Sequence, residues 1–293
     1  MQGTVDGFGY GLVTPVAAYL MACLGGALGL RCTTRSLQDR GSYRPGWLLL
    51  GASAIGSGIW SMHFIAMMGF TVEETPIGYD RATTFASLAV GIVMVGIGIF
   101  IVGHRGATPM SLVTGGTITG LGVASMHYLG MDGMRLQGRL EYDTLTVALS
   151  VVIAVVAATA ALWAAVSVHG FLASLGAALV MGLAVSGMHY TGMAAVSVHI
   201  HDAVEAVDVA VTVTGDPPAA LLGPMLVGPA VFLLLAGAVV MFDPLLVTGG
   251  EQYGHVHGAR TTAYGLPAAA SRRPAGRAAG RPPRRGRIGA GRS

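Results

Sequence analysis

Residues 46–67 read GWLLLGASAIGSGIWSMHFIAM, a run without a charged side chain that closes on Ser61-Met62-His63-Phe64-Ile65-Ala66-Met67. About 20 consecutive apolar residues suffice to cross the hydrocarbon core of a bilayer as a helix. Seven segments of the chain meet that length, roughly 10 to 30, 46 to 70, 82 to 102, 108 to 130, 144 to 168, 170 to 196 and 220 to 242. Composition agrees: 53% of the 293 residues are hydrophobic and 11% charged, against about 25% charged in a soluble globular chain. Too little polar surface is available to face water on all sides, which excludes soluble enzyme folds, collagen-like chains and zinc-finger modules. Two cysteines, Cys23 and Cys32, cannot form a disulfide framework. Asp6 and the lack of a basic residue ahead of the first run distinguish that run from a cleaved signal peptide.

The ending of the 46 to 70 run recurs. The fourth run carries Ser125-Met126-His127-Tyr128-Leu129-Gly130-Met131 and the sixth Gly187-Met188-His189-Tyr190-Thr191-Gly192-Met193, at spacings of 64 and 62 residues. The shared pattern is small-Met-His-aromatic-x-small-Met. With 15 Met and 9 His in the chain, about 0.5 Met-His pairs are expected by chance and about 0.03 followed by an aromatic, so three copies mark an internal repeat. Each interval holds two spans, so all three motifs run in the same direction and end at the same membrane face. The expected fold is an all-α integral membrane protein of seven transmembrane helices, three repeated helix pairs plus a seventh, over residues 1–242. Small-residue pairs one turn apart, such as Gly25/Gly29 and Gly116/Gly120, suit close helix packing in lipid.

Arginine in short loops sets the expected orientation. Arg31, Arg35, Arg40, Arg44 and Arg105 lie on one side, while Arg81, Arg135 and Arg139 on the other are outnumbered by acids. This places the N-terminus outside, the C-terminus in the cytoplasm, and the three motifs near the outer face of the plasma membrane.

Positions i and i+4 share a helix face, so His63 and Met67, His127 and Met131, and His189 and Met193 each present an imidazole with a thioether. Met62, Met126 and Met188 point about 100° away from their histidines and reach the same centre only from a helix flank. Packed even-numbered helices would bring six to nine nitrogen and sulfur donors into one layer. Thioethers are soft and select Cu(I), and imidazole suits copper in either oxidation state, so the expected cofactor is a copper ion. The nine residues are the candidate metal ligands. A lone Met-His pair in a membrane helix is more often packing, because Met fills irregular gaps; three copies at one face, in spans almost free of other ionisable groups, favour function.

Met188-His189-Tyr190-Thr191 spells the motif of the bacterial MHYT domain, which the chain resembles over roughly residues 10 to 242; the other copies keep Met and His but continue Phe64-Ile65 and Tyr128-Leu129. Phe64 lacks the hydroxyl, so no phenol donor is available in that repeat. The resemblance implies an integral-membrane sensor domain, proposed for the family to coordinate copper near the outer face and respond to a diatomic gas: oxygen, carbon monoxide or nitric oxide. Many members continue into cytoplasmic diguanylate cyclase, phosphodiesterase or kinase domains, whereas about 50 residues follow the last span here. A separate cytoplasmic signalling partner is therefore expected.

Residues 260–293 hold nine Arg and no acid. The segment 243–293 has too few large apolar residues to bury a core and is expected to be a disordered cytoplasmic tail, either a polybasic segment held by anionic lipid or the product of a frameshift. Neither reading suggests a nucleic-acid partner. His199 and His201 form a His-x-His pair that either passes metal inward or is simply solvated. His255 and His257 repeat that spacing without an assigned role, and His104 and His169 sit at helix ends. Cys23 falls in the first run and Cys32 below it.

The leading function is a metal-based membrane sensor of gas or redox state, with the lipid bilayer and the gas as partners and homo-oligomerisation left open. The rivals are a copper-handling protein or transporter, which would need polar groups through the inner half of the bilayer, and a metal-dependent redox protein or haem protein. No paired carboxylates, activated nucleophile or phosphate loop appears, so the chain is not expected to be an enzyme unless a metal performs the chemistry.

Overall fold

A computed structural model describes residues 2–38, 45–168, 170–200 and 218–242. Arg40, Arg44, His169, His201, His255, His257 and the tail 243–293 lie outside them. The described residues form seven helices: α1 (Val13–Gln38), α2 (Pro45–Met67), α3 (Arg81–Arg105), α4 (Pro109–Asp132), α5 (Thr144–Ser167), α6 (Phe171–Ala194) and α7 (Pro218–Met241). All except α4 are long and apolar enough to cross a membrane by length and composition. In α4, glycines, threonines and serines take the place of aliphatic residues, and Gly115, Gly116, Thr119, Gly120 and Gly122 are buried against other helices. Small residues on that face let neighbouring helices approach closely and lower the helix's mean hydropathy.

The first helix departs from its expected boundary. The apolar window ends near residue 30, yet α1 continues to Gln38 and contains Arg31, Cys32 and Arg35. Helical hydrogen bonding does not require apolar side chains, and this turn has something to pack on. Cys32 is fully buried and Arg35 nearly so, with the Arg35 guanidinium 5.9 Å from the centre of the Trp47 ring. Cys32 is thus part of the first helix and not a residue below it.

The helices close into a ring. Each packs on the next from α1 to α6, α6 returns to α1, and α2 also touches α4 and α6 at the centre. Helix α7 lies outside the ring against α1 and α2. The small-residue pairs are close-approach points. A Cβ at Gly25 would lie 2.7 Å from the Gly58 Cα in α2, and a Cβ at Gly120 would lie 2.4 Å from the Val155 Cα in α5. Trp60 ties α2 to α3 by donating Nε1–H to the Thr84 carbonyl at 3.1 Å and to Ser87 Oγ at 3.0 Å.

Six short strands, absent from the helical reading, complete the repeat: β1 (Val5–Asp6), β2 (Thr71–Val72), β3 (Gly78–Tyr79), β4 (Met134–Arg135), β5 (Gly138–Tyr142) and β6 (Val196–Ile200). They pair antiparallel as β1–β2, β3–β4 and β5–β6. Each unit is therefore strand, helix, helix, strand, and its ribbon clips the start of the odd helix to the end of the even one. Equivalent backbone bonds repeat beside the ribbons: the amides of Gly9, Asp80 and Asp143 donate to the carbonyls of Gly69, Gly133 and Ala195 at 2.9, 2.8 and 2.9 Å. Four of the six strands have two residues and carry no periodicity to detect. The Gly3 amide donates to the Val198 carbonyl at 2.8 Å, joining the first unit to the third and closing the ring at its ribbon end.

Two of the odd helices begin on the same cap. Asp80 and Asp143 each accept from the backbone amide and hydroxyl of the threonine three residues on, Thr83 at 2.8 and 2.6 Å and Thr146 at 2.9 and 2.6 Å. Such caps satisfy amides that have no partner inside the first turn. The ribbon end is thus built from three similar clasps directly above the motif helices.

Candidate metal centre

The three motif histidines, one from each of α2, α4 and α6, meet. His63 Nδ1 lies 3.0 Å from His189 Nδ1 and 3.1 Å from His127 Nδ1, and the third side of the triangle is 3.3 Å. The rings stand edge to face, with centroids 4.8 to 5.1 Å apart. None is more than 1% exposed.

The seats of His63 and His127 are supplied by the following repeat. A Cβ at Gly130 would fall 2.7 Å from His63 Nε2, and one at Gly192 would fall 2.5 Å from His127 Nε2. The second small residue of the motif is small so that the preceding repeat's imidazole can lie against its backbone. In the first repeat that position is Ala66, which lines a cavity together with His189. The motif's small positions were visible in the sequence, but their role was not, because it involves a contact between repeats. Tyr128 stacks edge-on to His127 at 4.8 Å and its hydroxyl lies 2.6 Å from Ser150 Oγ, a partner on α5 that no motif indicates. Phe64, in the equivalent place, packs edge-on to His63 at 4.5 Å.

The thioethers divide around this layer. Met62, Met67, Met126, Met131 and Met188 are at most 1% exposed, and Met193 is half-buried. Met67 and Met193 line a cavity of about 310 Å3 on the ribbon side, with His189, Tyr190 and Phe8. Met188 lines a second cavity on the opposite side, and Met126 lies against Gly91 of α3. The strap of residues before α1 passes over the ribbon-side cavity: Phe8 stacks on Tyr190 with centroids 6.0 Å apart, and the Thr4 amide donates to both Glu74 carboxylate oxygens at 2.9 and 3.1 Å. Hydrogen bonds from Thr4, side chain then backbone, hold the Glu74 carboxyl below its ordinary range. His199 lies on β6, its Nδ1 3.5 Å from Glu141 Oε2 in an exposed pair, and His104 stacks on Phe100 in α3.

The triangle has the chemistry of a cation site. A neutral imidazole offers either one lone pair or one hydrogen at Nδ1, so three such atoms in mutual contact cannot all be paired by hydrogen bonds, whereas three lone pairs can share one ion. A tetrahedral ion with nitrogen bonds of about 2.0–2.1 Å separates its ligands by about 3.3 Å. The observed sides of 3.0 to 3.3 Å match that spacing. These three buried histidines could hold a metal ion. His63 Nε2 and His127 Nε2 are buried without a hydrogen-bond partner, so they lack the acceptor that usually orients a ligating imidazole; the glycine backbones and aromatic edges hold the rings sterically instead.

The family of the bacterial signalling protein N-terminal repeat, MHYT, matches residues 56–115 and 120–178. The chain carries the MHYT repeat. The two matched copies contain the first two motifs, and the third, at 187–193, stands in the equivalent place in the ring. MucR of Pseudomonas aeruginosa, named a bifunctional diguanylate cyclase/cyclic di-GMP phosphodiesterase, is 39% identical over 191 residues, 64% of this chain and 28% of MucR. The signalling protein YkoW of Bacillus subtilis is 31% identical over 61% of this chain and 23% of its own length. NbdA of Pseudomonas aeruginosa, named a cyclic di-GMP phosphodiesterase, is 34% identical over 61% of this chain and 23% of its own length. The matched part of the MHYT-repeat chain thus spans about a quarter of these signalling proteins. No solved structure matches it.

Proposed function

We propose that this MHYT-repeat protein is a membrane sensor whose metal centre, held by His63, His127 and His189, responds to a diatomic gas or to redox state and signals to a separate cytoplasmic partner. The observation that carries the reading is the Nδ1 triangle, three buried imidazole nitrogens from three helices at ligand spacing. Soft thioethers of Met67 and Met193, which line the ribbon-side cavity together with His189, favour copper over harder ions, with Met131 as a further candidate donor; Met126 and Met188 face α3 and the far cavity instead. A bound copper ion supplies a position that a gas can ligate and a centre that can change oxidation state. The protein's own part is to hold three neutral imidazoles on three different helices. Any change in their spacing then acts on α2, α4 and α6 together, and the response requires two helix arrangements of different affinity.

The ribbon end is assigned to the outer face, with both the N-terminus and the motifs there. Copper reaches the layer through the ribbon-side cavity, past the thioethers of Met67 and Met193. Transport is the weaker reading, because the cavity on the other side of the imidazoles has Thr119 as its single polar side chain, which gives an ion no path onward. The test is elemental analysis of the full chain purified in detergent, alongside H63A/H127A/H189A. Copper should accompany the unaltered protein and be lost from the variant. Equal copper in both overturns the ligand assignment.

A further inference from the structure

On the far side of the imidazole layer from the ribbons lies a cavity of about 50 Å3. Its position follows from the helical repeat. Ile59, Val123 and Val185 line it, and each stands four residues before a motif histidine, on the same face and one turn away. Ile55, Thr119 and Met181, eight residues before the same histidines, form the next tier. The chamber therefore sits directly beneath the three rings on the axis of the repeat. Its width comes from α5, which contributes alanine methyls, Ala154 and Ala158 among them, where larger aliphatic residues would fill the space.

The chamber is dry. A buried water needs roughly 10–15 Å3 and two to four polar partners, and here Thr119 is the single polar wall residue. The Thr119 side chain is 7% exposed and its Oγ1 has no hydrogen-bond partner. Room for a small guest and walls that offer water a single partner, the Thr119 hydroxyl, where it needs two to four, describe a guest of two or three atoms with little or no dipole.

We propose that this chamber is a binding site for a diatomic gas, reached from the hydrocarbon side of the imidazole layer and separate from the ribbon-side cavity. The proposal deepens the sensor reading and rests on it for its purpose, though its geometry needs no metal. It makes the layer two-sided: ions come from the ribbons, and gas waits beneath the rings. Ile59, Val123 and Val185 position the guest under the imidazoles.

Xenon, an apolar atom of comparable size, is the probe. Crystals of the full chain, equilibrated under xenon pressure, should show xenon among Ile59, Val123, Val185 and Ala158, with or without copper. The site should be lost in A158L, which fills the chamber, and kept in T119V, which preserves its volume. A chamber without xenon in the unaltered protein, or xenon retained there in A158L, overturns the proposal; the unaltered protein alone decides it should A158L not fold. Xenon bound in a protein that takes up no copper would sink the metal reading and leave the chamber standing.

Discussion

A methyl group at Gly130 would lie 2.7 Å from His63 Nε2 and 3.1 Å from Phe64 Cζ, while one at Gly96 would meet only the Ala52 Cβ at 3.6 Å, an ordinary contact. The two substitutions should therefore differ in sign. Gly96→Ala removes a helix-interior glycine and should be neutral or stabilising by up to about 1 kcal/mol. Gly130→Ala overpacks against a ring that has nowhere to move and should destabilise by about 1–3 kcal/mol, with loss of copper from the purified protein. Thermal melts of the two variants in the same detergent check the contrast, and a Gly130→Ala protein as stable as Gly96→Ala would contradict the seat assigned to His63. At Tyr128 the prediction is narrower. Removing the hydroxyl in Y128F breaks the 2.6 Å contact to Ser150 Oγ and should cost about 1 kcal/mol. Phe64 already lacks that group in the first repeat, so metal content should survive. The sequence marks these residues as a pattern. That Gly130 serves His63 and Gly192 serves His127 depends on which helix stands beside which, and a motif contains no such information.

At the level of the element, the clasp at the start of α3 and α5 is electrostatic. The Thr83 hydroxyl and then its amide hold the Asp80 carboxyl below the ordinary carboxylate range, and Thr146 does the same for Asp143. A carboxyl whose folded-state pKa is lowered binds fewer protons folded than unfolded. Its stabilisation is present above the unfolded value, about 3.9 for Asp, and is lost as pH falls through the lowered folded value. Melting temperature should therefore decline on acidification below about pH 4, and less steeply in D80N/D143N, whose amides do not titrate. Equal slopes for the two proteins would show that these caps do not set the acid limb. The helices themselves were legible from apolar run length, apart from α1, whose last turn is held by packing of Cys32 and Arg35 that hydropathy does not register. The β1–β2 and β3–β4 ribbons were not legible, because strands of two residues such as Val5–Asp6 and Thr71–Val72 exist only where the ring brings their partners within hydrogen-bonding reach.

For the whole molecule, ring closure depends on backbones meeting at glycine. Gly120→Leu would drive a side chain into the Val155 backbone, where even a Cβ comes within 2.4 Å. It should part α4 from α5, lower the melting temperature and abolish copper retention, although no ligand has been touched. Orientation is tested separately. In intact cells, a membrane-impermeant maleimide should label Glu73→Cys, at the ribbon end, and should reach Arg105→Cys only after lysis; the reverse pattern would put the imidazole layer near the cytoplasmic face. Apolar length, the 64- and 62-residue spacing and the alternation of chain direction determined, without coordinates, that three Met-His motifs end at one face of a helical membrane protein. Those properties run along a single chain, so a linear text can hold them. That the rings meet at Nδ1, that glycines seat two of them, that ribbons clip each pair and that an apolar chamber lies beneath were decided by tertiary structure alone, because each depends on how one helix is rotated about its axis against another.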